Sequence, residues 1–208
     1  MNSLLQKLKD FSTPEICDAV SRKINLNPAI KQVVGNKKIV GKALTVDVPY
    51  GEGLIVTNAI EKIQKGDVIV ISGKGNIETS YWGDHRSICA KFMKAEAVVI
   101  DGAMRDIDAC EEVGFPIFAR GITPRTANKT GEGSINVEIN CGGINISPGD
   151  IIFCDRNGVI ALKPDEIQDA IEKALDKRKN EEYTINKMFE TGKVLPRIIK
   201  RNENGKNN

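Results

Sequence analysis

Apolar and polar positions along this chain switch repeatedly between helical and strand-like spacing. Ser12-Thr13-Pro14-Glu15 is the first clear helix start: a hydroxyl at the cap, proline near the first turn and an acid placed to close a capping box. A helix over 15–22 should follow. Residues 39–48 alternate and are rich in Val, Ile and Thr, which predicts a strand. Residues 53–64 read as a helix, ended by Lys65-Gly66-Asp67, a turn that launches the buried strand Val68-Ile69-Val70-Ile71. Pro148-Gly149-Asp150 uses the same device before Ile151-Ile152-Phe153; these are two similar turns, not a sequence repeat.

The middle of the chain is the most regular. A helix over 83–94 leads to the strand Ala97-Val98-Val99-Ile100 and then the loop Asp101-Gly102-Ala103-Met104. A second helix begins near Arg105-Asp106 and runs to Val113, and a strand follows over 116–120. Helices alternating with short, continuous apolar strands predict an α/β layer with partly parallel pairing. After Gly121 the pattern turns to short strands with Gly-rich turns, over 135–139, 144–146, 151–154 and 159–162. The last two are joined by Asp155-Arg156-Asn157-Gly158, which carries an Asn-Gly hairpin turn. Pro164 opens a long charged helix from Asp165 to about Glu190, stopped at Thr191-Gly192-Lys193. Its Ile167, Ala170, Ile171, Ala174 and Leu175 fall at helical spacing, so one face packs, either on its own domain or on a neighbouring subunit. Three segments result: an α/β domain over 1–163, the helix over 164–192 and a basic tail over 193–208.

Composition narrows the function classes. Of the 208 residues, 30 are basic and 28 acidic, a net charge of +2 that gives no global field favouring nucleic acid or membrane. The five cysteines are odd in number and include no C-x-x-C pair, against a disulfide framework or zinc knuckle and in keeping with a reducing compartment. The first ten residues lack the apolar stretch of a signal peptide, and no run approaches the roughly 20 apolar residues of a membrane span. A soluble cytoplasmic protein is expected. The basic Arg197-Ile198-Ile199-Lys200-Arg201 reads as a frayed terminus in preference to an RNA-binding arm.

Candidate chemistry concentrates in two pieces. Ligands collect at the carboxyl ends of strands in α/β sheets, where Arg105 offers a planar fork suited to a carboxylate. Asp106 beside it is a hard oxygen ligand suited to Mg²⁺ or Mn²⁺. On periodicity alone, a helix-capping Asp106 and a surface Arg105 are the simpler reading. The other piece is Tyr81-Trp82-Gly83-Asp84-His85-Arg86. Gly83 lets the backbone approach a ligand, and the free N–H groups of a first helical turn bind anions. Asp84 either holds a metal-bound water or merely favours the helix dipole. His85 is the single histidine, which argues against a His-rich metal site, and Tyr81 and Trp82 read as packing residues. Gly73-Lys74-Gly75-Asn76 lacks the spacing of a phosphate loop.

Together, Gly83-Asp84 and Val98-Val99-Ile100-Asp101-Gly102-Ala103-Met104-Arg105-Asp106 resemble the signature of the RraA-like family, which includes 4-hydroxy-4-methyl-2-oxoglutarate aldolases. Further matches are 114–121, Thr123-Pro124, Gly142-Gly143, Pro148-Gly149-Asp150 and 155–159, so the resemblance covers most of residues 12–190. It implies a layered β/β/α swivelling-type domain, homotrimers or hexamers, and an active site at the subunit interface. It further implies that Gly83, Asp84, His85 and Arg86 bind the pyruvyl part of a small 2-oxo acid. Arg105 would pair with the substrate, Asp106 would hold the divalent metal, and Asp84 would shuttle protons. A glutamate from a neighbour's C-terminal helix, here Glu181 or Glu182, would complete the site. The activity implied is retro-aldol cleavage to pyruvate, oxaloacetate decarboxylation, or both. Family members without the long helix regulate RNase E, so a non-catalytic regulator of an RNA-processing enzyme is the alternative.

Overall fold

The computed structural model describes residues 2–196; the basic segment 197–201 lies outside the described residues. Four strands, β2 (Ile39–Asp47), β3 (Asp67–Trp82), β4 (Ala97–Met104) and β5 (Ile117–Ile122), pair in parallel at the centre of the main sheet. The order is β1-β5-β4-β3-β2-β9-β10, where β1 (Lys31–Val34), β9 (Ile151–Asp155) and β10 (Gly158–Leu162) add antiparallel edges. The segment leading into β1 reaches back to β10: Leu26 N–H donates to Val159 O at 2.9 Å and Ala161 N–H to Ile24 O at 2.9 Å. The sheet is thereby nearly closed.

The parallel pairing follows from the apolar runs. Strand side chains alternate between faces, and here both faces are covered. Val68, Val70, Ala97 and Val99 point into a core roofed by the hairpin β7 (Ile139–Cys141) and β8 (Ile144–Ile146). Ile69, Ile71, Val98 and Ile100 point the other way, under α3 (Leu54–Ile60), α4 (Asp84–Phe92) and α5 (Ile107–Val113). The result is a small β layer, a main β layer and a helical layer.

A third core joins the termini. Leu8 of α1 (Asn2–Leu8) and Ile16 of α2 (Thr13–Ala19) pack with Ile151, Phe153, Ile167, Ala170, Ile171 and Ala174. Ser12 and Glu15 close the capping box expected at α2, with Ser12 N–H donating to Glu15 Oε2 at 2.7 Å. The long helix α6 (Ile167–Thr191) starts after a 3₁₀ turn at Pro164–Glu166 and ends at Gly192, whose φ of 66° no other residue type adopts as easily. Its first half therefore packs on its own domain. Arg178 joins it to α2, donating to Glu15 at 2.8 Å and lying 4.2 Å over the Phe11 ring. The expected apolar face is shorter than its spacing suggested, because Leu175 is 41% exposed. Among the described residues no helix is long and apolar enough to cross a membrane.

Three expectations need correction. The 101–104 segment is no loop: β4 runs to Met104 because Gly102, Ala103 and Met104 find partners on β3 at Asn76, Ser80 and Trp82. The strand at 68–71 likewise extends to Trp82, passing through irregular pairing after Ile71. The 135–139 segment is broken, giving β6 (Ser134–Ile135) and β7, since Asn136 turns left-handed at φ 58°. Helix α1 and strand β1 are additions to the elements that the sequence pattern predicts.

Candidate active site

A cleft of about 400 Å³ opens at the carboxyl ends of β3 and β4. Gly83, Asp84, His85, Arg86, Arg105 and Asp106 all line it, so the two pieces singled out in the sequence share one cavity. Their contact is close. A Cβ placed on Gly83 would stand 2.7 Å from Asp106 Oδ2 and 3.4 Å from Arg105 Cγ. Arg105 N–H donates to Trp82 O at 2.9 Å, which ties the end of β4 to the residue before Gly83.

Asp106 reaches this position through its backbone. It precedes α5 with φ 57° and ψ 46°, a left-handed conformation unusual outside glycine though tolerated by Asp. That turn swings its carboxylate back over Gly83, where Arg105 Nε sits 3.1 Å from Oδ2. It does not cap α5 with its side chain, so the simpler reading of Asp106 as a helix cap is set aside. Both side chains stay more than a third exposed, open to a ligand.

The first turn of α4 faces the same space. Gly83 at its cap carries no side chain, and its extended φ of −162° is one any residue adopts. The glycine is therefore needed for room, not for backbone freedom. Its carbonyl accepts from Ser87 N–H and Ser87 Oγ, each at 3.0 Å, and Ser87 Oγ in turn accepts from Trp82 Nε1 at 2.8 Å. Trp82 and Tyr81 are buried, as packing residues should be. Asp84 Oδ1 accepts from His85 N–H at 2.7 Å, which engages one of the first-turn donors.

Arg86 lines the cleft while its donors are taken up by protein oxygens. Its guanidinium donates to Tyr81 O, to Gly53 O at 2.6 Å and to Thr57 Oγ1 at 3.2 Å. With these donors engaged, it braces α3 against α4 and gives the cleft a fixed positive charge. Burial lowers its pKa first, the neighbouring Arg105 charge lowers it further, and Glu52 opposes both. An arginine remains charged through such a shift.

The sequence reading missed the opposite wall, Thr126 and Lys129. Their loop is held by bridges from Ser80 to Thr126 and from Glu52 to Asn128. Glu52, 3% exposed, is its anchor. Its carboxylate accepts from Thr130 N–H and Oγ1, both at 2.7 Å, Gly131 N–H at 3.2 Å and Leu54 N–H at 2.6 Å. Burial alone would raise its pKa, but these hydrogen bonds prevail and hold it at about 2. No local pattern marks a buried Glu between two glycines as a loop anchor.

Glu181 lies elsewhere, beside Asp18, Lys177 and Arg178 on the α2–α6 surface; Glu182 is on the same helix and exposed. Neither lines the cleft of its own chain. Among the described residues no three His, Cys, Asp or Glu side chains form a metal cage. Two carboxylates, Asp84 and Asp106, do line the cleft. Mg²⁺ keeps several waters and commonly takes one or two carboxylates plus substrate oxygens. The donors present fit such an ion.

The family model for RraA-like proteins, described as Aldolase/RraA, matches residues 13–161. This chain belongs to the RraA-like family. A relative from Halalkalibacterium halodurans named "Putative 4-hydroxy-4-methyl-2-oxoglutarate aldolase" is 39% identical over 178 residues, covering 86% of this chain and 85% of that protein. Among solved structures, RraAS2 of Streptomyces coelicolor, titled an unusual member of the RNase ES inhibitor RraA protein family, superposes with a TM-score of 0.80. It has 25% identity, over 90% of this chain and 98% of that one. The RNA-processing inhibitor RraA from Thermus has a TM-score of 0.68 at 25% identity, covering 74% of this chain and 93% of its own. The RraA-like fold expected from the signature is therefore the fold observed, with the long α6 added after the matched region.

Proposed function

We propose that this chain is a divalent-metal-dependent carbon–carbon lyase acting on small 2-oxo acids in the cytoplasm. It would cleave 4-hydroxy-4-methyl-2-oxoglutarate-like substrates to pyruvate, decarboxylate oxaloacetate, or do both. The observation that carries this reading is the convergence of Arg105 and Asp106 on Gly83 at the mouth of α4.

The chemistry needs electrons left by C–C cleavage to be held on the former keto oxygen. The first-turn N–H groups of α4 and the positive charges of Arg86 and Lys129 draw the substrate carboxylate into the cleft. Arg105 stands beside the keto oxygen and stabilises the charge that develops there. Asp106, with Asp84, would hold Mg²⁺ or Mn²⁺, which supplies Lewis acidity toward the 2-oxo acid. Asp84, through a water, would take the substrate's hydroxyl proton and return one to the product carbon. Decarboxylation needs the same charge stabilisation and no separate base, so one cleft serves both reactions.

A homotrimer or hexamer belongs to this reading, with Glu181 or Glu182 supplied by a neighbour's α6. Supporting it, α4 exposes Ile88 and Phe92, and the distal half of α6 exposes Ile185 and Phe189. Exposed apolar side chains one helical turn apart, as on each of these helices, suit burial against a neighbouring subunit.

The test is pyruvate release, above the spontaneous rate, from oxaloacetate and from 4-hydroxy-4-methyl-2-oxoglutarate. Chelator-treated protein should be inactive, and Mg²⁺ or Mn²⁺ should restore it. Asp106→Asn should lower the rate by about a hundredfold; an unchanged rate refutes the mechanism. The likeness to RNA-processing inhibitors favours a second reading, a non-catalytic regulator. Absence of turnover on every 2-oxo acid, with retention of a ribonuclease on the immobilised chain, would establish it.

A further inference from the structure

A second polar cavity, also about 400 Å³, is lined by none of the residues of the first. It lies where β3 leaves its regular pairing after Ile71, and it is lined by Lys74 of the Gly73-Lys74-Gly75 motif, for which the lyase chemistry has no use. The Tyr81 ring, packed on Gly73 and Gly102, stands behind it: a Cβ on either glycine would come within 2.8 Å of that ring.

The backbone here is bent at a cost. Lys74 takes φ 55°, in the left-handed region that a lysine rarely occupies. Irregular pairing in a strand re-aims side chains, and strained residues of this kind concentrate at functional sites. The strain sets Lys74 Nζ 3.6 Å from Asp47 Oδ1, a distance for charge attraction and too long for a hydrogen bond.

Arg120 faces the same cavity and is rigidly held. Its Nε donates to Asp101 Oδ1, and Asp101 Oδ2 accepts from Gly142 N–H at 2.8 Å. The guanidinium lies flat over Gly75, whose Cβ would stand 3.8 Å from Cζ. Only Nε is engaged in a hydrogen bond among the described residues, so both terminal amino groups of the fork are available. A pre-oriented guanidinium with two available amino groups is suited to bidentate capture of a carboxylate.

The charges decide which carboxylate. Lys74 and Arg120 are offset by Asp47 and Asp101, so the cavity has no surplus positive charge for a dianion. Asp47, 39% exposed, presents an acceptor beside the cationic pair. We propose that this cavity is a binding site for a small monocarboxylate bearing a hydroxyl or ammonium donor, a 2-hydroxy or 2-amino acid. Its carboxylate bridges Arg120 and Lys74, and its donor faces Asp47.

Equilibrium dialysis of the full-length protein tests this with radiolabelled L-serine and L-lactate, against acetate and inorganic phosphate. Serine or lactate should bind saturably, acetate and phosphate more weakly by about tenfold or more. Lys74→Gly removes the cation and suits φ 55°, so the protein stays folded while affinity falls about tenfold. Asp47→Asn should narrow the preference over acetate. Arg105→Ala, in the other cleft, should leave this binding intact. Three results would overturn the proposal: no saturable binding by serine or lactate, phosphate bound in preference to both, or binding lost in Arg105→Ala and kept in Lys74→Gly. Because no turnover is read, the outcome is independent of the lyase reading.

Discussion

Gly83→Ala separates the geometry of the cleft from the stability of the fold. The backbone at Gly83 is extended, with φ −162° and ψ −167°, so alanine meets no conformational penalty there. The added methyl would stand 2.7 Å from Asp106 Oδ2. Relief to an ordinary contact of 3.4 Å requires a retreat of about 0.7 Å, which a terminal carboxylate achieves by rotating. Unfolding free energy should therefore change by less than about 1 kcal/mol. The same retreat takes the carboxylate out of register with Arg105 and with any ion it holds. Misplacement on the order of 1 Å costs roughly a hundredfold in rate. Pyruvate release from oxaloacetate should thus show kcat/KM down by about a hundredfold, with affinity for Mn²⁺ weakened and Tm nearly unchanged. Wild-type kcat/KM in Gly83→Ala would refute the placement of Asp106 in the reaction. A large drop in Tm would instead mean that the glycine serves the fold.

Asp106→Gly should abolish activity while changing stability by no more than about 1 kcal/mol in urea unfolding, because the left-handed strain relieved offsets the entropy of an added glycine. Glu52→Gln should destabilise by about 1–3 kcal/mol, since an amide nitrogen cannot accept the hydrogen bonds that one carboxylate oxygen now takes. It should also raise KM, by loosening the loop that carries Lys129. The folded-state pKa of Glu52, about 2, lies below its ordinary 4.5. Its contribution is therefore complete above about pH 4.5 and is lost as pH falls toward 2. Urea midpoints of wild type and Glu52→Gln should converge across that range. Mixing Arg105→Ala protein with a Glu181→Gln, Glu182→Gln double variant should restore turnover in part if α6 of one subunit completes the cleft of another. Size-exclusion chromatography with light scattering would show the trimer or hexamer directly.

Much of this architecture was legible in local pattern. Continuous apolar runs such as Val68–Ile71 and Ala97–Ile100 can be satisfied only by a sheet covered on both faces, and helical spacing between them supplies the cover. The capping box at Ser12 and the stop at Gly192 are equally local, since each depends on backbone groups a few residues apart. The signature residues also belonged together, because Gly83 and Arg105 end adjacent strands of one parallel pair. Beyond that, tertiary contact decided. Asp101-Gly102 has the chemistry of a turn, yet Gly102 pairs with Asn76 of β3, and the Asp101 carboxylate is held by Arg120 and the Gly142 N–H. Arg86 reads as a free cation until Gly53 and Thr57, about thirty residues away in sequence, take its donors. The Lys129 wall and its Glu52 anchor come from segments far apart in sequence, joined by backbone bridges and a buried carboxylate. Periodicity along a chain reports which face of an element is dry; which side chains meet across a cavity depends on how distant elements stack, and no spacing in the sequence encodes that.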